Sequence, residues 1–525
     1  MLDYFEKKIK LFPKTVGVII AIICAISLLI RLYYLPYDIP LTLDALYYFW
    51  YANDISILGN FPDYTIFNDG WPIFLSPFFS IVNFNNFMDY MLLQRIIAVS
   101  ISVLTIIPVY ILCRRFFDKS YSLVGASIFA FEPHIIQNSL LGITEPLYLI
   151  LITISLVFFF SKNEKLVYAS FFVVALSTMI RTEGIFLFFA FSILFFVFHK
   201  KEIQTVGKYL IVLGVYILSL IPITVTRLGI AGSDPAYEKI EVSATNLILS
   251  VSEGGQGLSF LYDGMINLIK FLGWDLIPVF IFFVPIGFIL LLKSWNKEGW
   301  KFIIVLILLI FPAFYAYSTE AFDTRYLFAL FPMFSVLSLF TIKSANEKFG
   351  SYKVFLLLII IGIILVSNLF LELQKPDLTH QSEALSIAYE VADKTKVINQ
   401  YLPESSFLPI VGLSQLDYFP ILKSNFNDDD NLLHCAEVLV CNAILNIKAN
   451  SLEEYIEEGR KKRLTHLVLD GTEHFRYGND FFIEVFHNEE KYPYLVKEFD
   501  SKDLDYKYHL KIFKVDYEVF DSRYG

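Results

Sequence analysis

The sequence predicts an α-helical polytopic membrane protein of about 11 transmembrane helices with a C-terminal extracytoplasmic α/β domain. Three observations carry this. Of 525 residues, 56% are hydrophobic and 17% aromatic, with a mean hydropathy of +0.57, more apolar surface than a water-soluble chain can bury. That surface is gathered into runs near the roughly 20 residues a helix needs to cross a bilayer core. The texture then changes after Leu371, and residues 372–525 are polar enough to stand in water.

Apolar stretches lie at roughly 15–36, 90–113, 120–133, 144–161, 166–180, 184–199, 208–227, 276–293, 301–318, 326–342 and 353–371. The third and fifth are short for a full crossing. No small-residue cleavage site follows the first, because RLYYLPYD is bulky, so it reads as a retained anchor and not a signal peptide. With the amino terminus cytoplasmic, the inner segments hold Lys7, Lys8, Lys10 and Lys14, then Arg114, Arg115 and Lys119, then Lys162 and Lys165. Lys200, Lys201 and Lys208 follow, then Lys293, Lys297 and Lys301, and finally Lys343, Lys348 and Lys353. Every second loop is basic, and the alternate loops hold only Lys239 and Lys270. Residues 1–371 form the membrane domain, and eleven spans place residues 372–525 outside, with loop 37–89.

That first outer loop should carry one or two surface helices. From Asp44 onward, Asp44, Tyr48 and Tyr51 share a helical face. A second outer loop, roughly 228–275, contains SVSEGGQG, made flexible by Gly254, Gly255 and Gly257. No internal repeat is visible, which disfavours a transporter built from duplicated halves. In the outer domain, HQSEALSIAYEVADKTK and SLEEYIEEGRKKR read as helices, the second with a capping box at Ser451 and Glu454. THLVLDG and YHLKIFKVD read as strands. His466 and His474 have no partners at metal-ligand spacing and read as surface or packing residues. Cys24 and Cys113 fall in spans as packing residues, whereas Cys435 and Cys441 lie where oxidation is open to them. The net charge of −10 comes mainly from outer acids and gives no sign of nucleic-acid binding.

Ionisable groups near a membrane are costly and mark function. The outer acids are Asp44, Asp54, Asp63 and Asp69, then Glu132, Glu145 and Glu183, then Glu253, Glu320 and Asp323. Arg31, Arg95, Arg181, Arg227 and Arg325 each stand at the outer end of a span. Arginine makes forked hydrogen bonds to phosphate, so a cavity holding an anion beside a base is one reading. Mutual pairing and snorkelling are the other. Glycosyl transfer from a polyprenyl-phosphate sugar fits the first reading. Its leaving phosphate needs arginines more than a proton, and the acceptor hydroxyl needs a base. Asp44 suits that base, against the plain alternative that it caps the helix ALYYFWYAND.

These segments resemble the GT-C superfamily of integral-membrane glycosyltransferases over roughly residues 15–371. That group includes protein O-mannosyltransferases, the aminoarabinose transferases of lipid A and the catalytic subunits of oligosaccharyltransferases. The resemblance rests on LDALYYFWYANDISILGNFPDY followed by NDGWPIFLSPFF, on FAFEPHIIQNSLLGITEPLYLIL, and on MIRTEGIFLF and FDTRYLFALFP, in that order. It implies a polyprenyl- or dolichyl-phosphate-linked sugar donor and a protein or glycolipid acceptor, with Asp44 as the catalytic acid of loop one. It implies that Arg181 and Arg325, with Arg95, contact the donor phosphate, and that Glu145 shapes the site. Asp69, Glu183, Glu253 and Asp323 are further candidates. Members often show two adjacent acids in loop one, but Ala45 follows Asp44 here, leaving Asp69 or Asp54 for the second. SVSE resembles an oligosaccharyltransferase loop motif, yet the WWD motif of those enzymes is missing, since all five tryptophans precede residue 301. Transfer to a hydroxyl is therefore preferred over oligosaccharide transfer, with a lipid transporter or a non-catalytic assembly subunit as the alternatives of another class. Asp44, Asp69, Glu145 and Glu253 would suit Mg²⁺ or Mn²⁺ by hardness, and no metal ligand set is assigned.

Overall fold

The structure is a computed structural model. It describes residues 14–524 apart from 63, 85–86, 200–204, 236, 239–240, 243–244, 246–255, 295–296, 351–352, 396–409, 412–448, 462–463 and 472–479. Asp63, Glu253, Cys435, Cys441 and His474 lie outside the described residues. The chain divides into two compact units. Met1–Leu35, Thr65–Trp71 and Gln94–Lys375 form the first, and Pro36–Tyr64, Pro72–Leu93 and Pro376–Gly525 the second.

Helices dominate. In chain order they begin α1 (Lys14–Tyr34), α2 (Asp44–Leu58), α3 (Gly70–Ile81), α4 (Phe87–Leu104) and α5 (Ile106–Cys113). Next come α6 (Lys119–Ala130), α7 (Pro133–Ser139), α8 (Glu145–Phe159), α9 (Glu164–Ile180) and α10 (Ile185–His199). Then follow α11 (Thr205–Ala231), α12 (Gln256–Leu276), α13 (Val284–Ser294), α14 (Lys297–Ser318), α15 (Phe331–Lys348) and α16 (Lys353–Leu373). Ten of the eleven expected apolar stretches fall largely on helices, whereas in 276–293 residues 277–283 form turns and the helix begins at Val284. Among the described residues, six helical stretches are long and apolar enough to cross a membrane: Lys14–Tyr34, Met88–Cys113, Thr205–Ile230, Gly299–Ser318, Thr324–Lys348 and Lys353–Leu373. Residues such as Leu29, Leu218 and Leu365 stand about two-thirds exposed on these helices, an apolar surface that only lipid can cover.

Inside the first unit, polar groups tie helices together. The fully buried Arg31 guanidinium donates to Ser139 Oγ (3.2 Å), Ala130 O (3.1 Å) and Ser102 Oγ (3.1 Å), and also to Ser27. One side chain thereby fastens α1 to α4, α6 and α7. Arg31 neither pairs with an acid nor snorkels to the surface: it is wholly buried on serine hydroxyls and backbone carbonyls. The NDGW segment of loop one is a second fastening. Arg227 donates to both carboxylate oxygens of Asp69, and its Nη1 reaches Asp234 (3.1 Å). The indole of Trp71, wholly buried, donates to Gly142 O at 3.0 Å, and Gln94 Nε2 donates to the same oxygen at 2.7 Å. Gly70 lies between them, packed so closely that a Cβ there would stand 2.5 Å from Met179 O.

Asp275, near the end of α12 and outside the six stretches, is a different case. It is fully buried, and neither carboxylate oxygen has a hydrogen-bond partner among the described residues. Burial, with the charges of Glu132 and Asp323 adding to it, pushes its carboxyl up to about 9. Glu132 itself accepts from Ile135 N (2.9 Å) and meets His134 Nδ1 (3.0 Å).

The second unit contains α2 and a small sheet. The sheet's strands are β1 (Ile410–Val411), β2 (His466–Asp470), β3 (Leu495–Asp500) and β4 (Leu510–Val515), in the order β1-β2-β4-β3. β1 runs parallel to β2, and the other pairs are antiparallel. Helix Leu452–Lys461 begins with Ser451 Oγ accepting from Glu454 N–H (3.2 Å), while the Glu454 carboxylate reaches back to Asn450 N–H (2.8 Å). Leu452, Tyr455 and Ile456 of this helix pack with Leu467, Leu469, Phe486, Tyr494 and Phe513 in one core. His466 is buried against Thr465 and Glu498, a packing role as expected.

Two outcomes follow. Gly70→Ala should lower stability by about 1–3 kcal/mol, because Met179 O is backbone and must move, and thermal unfolding in detergent will read this. Asp275 binds its proton more tightly folded than unfolded, so that proton's contribution is full below pH ~4 and is lost as pH rises towards 9. Asp275→Asn should therefore flatten the decline in melting temperature over that window and lead the wild type by about 1–3 kcal/mol at pH 9. Parallel curves would show that Asp275 does not titrate in the fold.

Candidate functional site

Three chain reversals bring the predicted charges together in the first unit. In TEP, Glu145 and Pro146 open α8, where a proline costs no helical hydrogen bond, and the Glu145 carboxylate is 1% exposed. In RTEG, Arg181 leaves α9 in extended conformation and a 3₁₀ turn at Thr182–Gly184 leads into α10. Gly184 is required there, since a Cβ would stand 2.8 Å from Thr178 N. In DTR, Asp323 caps the 3₁₀ helix Thr324–Leu330 by accepting from Arg325 N (2.9 Å), and its other oxygen lies 2.6 Å from Arg325 Nε. The i, i+2 spacing thus fixes the arginine's side chain with the residue that fixes its backbone.

The two guanidinium groups converge on one oxygen. Glu145 Oε1 accepts from Arg181 Nη1, and Arg325 Nη1 stands 3.8 Å from it. Arg181 Nε lies 3.4 Å from Glu183 Oε2, and Thr144 Oγ1 is 3.4 Å from Arg181 Nη1. The Arg181 guanidinium also lies 5.9 Å from the ring centroids of both Tyr148 and Tyr326. Arg325 remains 30% exposed, so this end of the pair faces outward from the packing. By formal charge, two arginines meet the three carboxylates Glu145, Glu183 and Asp323. The cluster therefore has no excess positive charge, and what it offers an anion is directed N–H groups.

Five predicted residues are thus assembled: Glu145, Arg181, Glu183, Asp323 and Arg325. Asp69 is the partner of Arg227, and Arg95 is buried on α4 in the first unit. Asp54, in the second unit, accepts from Tyr64 Oη at 2.7 Å. Asp44 also belongs to the second unit and stands exposed. It does not precede α2 but is its first residue, and Leu43 holds the cap position with φ 49° and ψ −131°. That conformation costs a side-chain-bearing residue about 1–3 kcal/mol. Thr144, Tyr148, Tyr326 and Asp275 were not foreseen. The first three adjoin predicted charges in sequence or by one helical turn, whereas nothing in the sequence around Asp275 marks its isolation. Among the described residues no three His, Cys, Asp or Glu side chains group as metal ligands, and Glu253 lies outside them.

The sequence profile of the family described as dolichyl-phosphate-mannose-protein mannosyltransferase matches residues 73–225. No curated protein sequence matches the chain. Among solved structures, ArnT from Cupriavidus metallidurans bound to undecaprenyl phosphate is similar with a TM-score of 0.59 at 8% identity, over 94% of this chain and 97% of that one. The same protein in the apo state gives 0.55 at 11% identity, over 96% and 99%. The oligosaccharyltransferase of Archaeoglobus fulgidus, tethered to an acceptor peptide containing the NVT sequon, gives 0.52 at 13% identity, over 86% and 69%. At such identities the likeness is one of fold, and it extends over nearly the whole chain. The chain thus shares the fold of these membrane-embedded proteins, and the mannosyltransferase family profile matches within that fold, over residues 73–225.

Proposed function

We propose that the protein transfers a hexose-type sugar from a polyprenyl-phosphate donor to an acceptor hydroxyl on the extracytoplasmic membrane face, with Asp44 as the base. The observation that carries this reading is the convergence of Arg181 and Arg325 on Glu145. Glu145 overcomes the mutual repulsion of the two guanidinium groups before any ligand arrives. A phosphate entering from the exposed Arg325 side then meets donors already oriented, with little reorganisation at the moment of reaction. Asp323 keeps Arg325 in place, and the Tyr148 and Tyr326 rings each lie 5.9 Å from the Arg181 guanidinium.

In the reaction, the acceptor oxygen forms a bond to the sugar's anomeric carbon while the bond from that carbon to the phosphate oxygen breaks. The electron pair leaves with polyprenyl phosphate, whose charge the arginines hold. The acceptor's proton passes to Asp44. An exposed acid at the first helical position, not at the cap, supports that role. The alternation of basic loops supports the extracytoplasmic face, with the amino terminus in the cytoplasm. The acceptor is a protein or a glycolipid.

The test is transfer by purified protein in lipid, with labelled polyprenyl-phosphate monosaccharides and envelope acceptors. Asp44→Asn should cut turnover by about 10²–10⁴-fold while the protein stays folded. Full activity in that variant would remove Asp44 from the chemistry. Arg325→Lys keeps the charge and loses the fork, so kcat/KM for donor should fall about 10-fold or more, whereas an unchanged value would show that Arg325 is only structural. Release from lipid-linked oligosaccharide, with none from any monosaccharide donor, would replace this reading with oligosaccharyl transfer.

A further inference from the structure

A cavity of about 570 Å³ lies at the C-terminal end of α12. Lys270, Phe271 and Trp274 line it from the helix, Ile277 and Ile281 from the turn beyond, and Thr324 from the neighbouring 3₁₀ helix. Its size is in the range that accepts a small organic ligand, and its wall is almost entirely apolar.

Three features restrict what fits there. First, α12 is not among the helices long and apolar enough to cross a membrane, yet Tyr262, Met265, Ile266 and Ile269 stand on its exposed surface. A helix of this kind lies in the membrane interface with its apolar face against acyl chains. Second, Lys270 is exposed at the cavity and has no carboxylate partner among the described residues. Its ammonium lies over the Phe271 ring, 5.7 Å from Nζ to centroid. It is also one of only two lysines in the alternate loops, the other being Lys239. Third, the Thr324 hydroxyl and the Trp274 indole N–H, on a side chain 44% exposed, make no hydrogen bond among the described residues. An ammonium, a hydroxyl and an indole at the edge of an apolar hollow are the groups that meet a lipid headgroup at its phosphate, with the chain below.

We infer that this cavity binds an anionic phosphodiester lipid of the surrounding leaflet, its phosphate at Lys270 and one acyl chain against Phe271, Trp274, Ile277 and Ile281. A phosphodiester carries one negative charge, and the cavity offers one cation. Lysine is a point charge without arginine's fork, suited to a diester more than to the dianionic monophosphate left by sugar transfer. The inference does not depend on the transfer reading. It requires only that the chain sits in a bilayer.

Gly273 supplies a clean test, because a Cβ added there meets no atom within 4 Å and a larger side chain would project into open space. Native mass spectrometry of the protein released from nanodiscs of equal phosphatidylglycerol and phosphatidylcholine will count retained lipid. Wild type should retain phosphatidylglycerol preferentially. Lys270→Gln should reduce that preference about fivefold, and Lys270→Arg should keep it. Gly273→Leu should displace the lipid without lowering the melting temperature in detergent, while Arg325→Lys should leave lipid retention unchanged. No preference in wild type, or the same preference in Lys270→Gln, would overturn the proposal. So would a Lys270→Gln variant that spares phosphatidylglycerol and loses added undecaprenyl phosphate, which would give the cavity to an isoprenyl phosphate chain.

Discussion

Burying a carboxylate as deeply as Glu145 is costly unless cations stand against it, and Arg181 and Arg325 supply them. Most of what is particular to the first unit follows from that requirement. The two arginines come from separate chain reversals, so satisfying one acid fixes the end of α9 and the entry to α15 relative to the start of α8. The same rule operates at Asp69, where Arg227 brings loop one to the end of α11. Arg31 obeys a neutral version, taking serine hydroxyls and backbone carbonyls in place of an acid. Each fastening joins segments far apart in sequence and does so at a point where apolar packing alone would let helices slide.

The exception is instructive. Asp275 is buried as deeply as Glu145 and has no such partner among the described residues, so its cheapest state is the neutral one. Two acids of one unit thus meet the same burial differently, Glu145 with paired arginines and Asp275 with its carboxyl pushed up to about 9. Environment, and not residue type, decides which.

Much of this architecture was legible in the sequence, for identifiable reasons. Apolar runs and alternating basic loops depend on local composition, and they read through directly to helices. TEP, RTEG and DTR were legible because charge, cap and turn lie within a few residues of one another, so the local motif already specifies where the side chain stands. The cap at Ser451 is of the same kind. Illegible were the features that need a distant partner: Arg227 lies 158 residues from Asp69, and nothing near either residue announces the pair. Asp44 was misplaced by one residue as a helix-capping alternative, because a leucine at positive φ is a poor expectation for a cap. The grouping of 36–64 and 72–93 with the C-terminal residues was equally invisible, since loop one reads as an adjunct of the membrane helices.

The carbonyl of Gly142 has two lone pairs, and Trp71 and Gln94 occupy both. This oxygen stands three residues before Glu145, so it sets the registration of the whole start of α8. Moving that start would break two hydrogen bonds at once, to donors 71 and 48 residues upstream. For anyone recombining this chain with a relative, the practical unit is therefore not the loop or the helix. A graft beginning at residue 140 would inherit a reference point without the two donors that define it, and a workable crossover must lie upstream of residue 65.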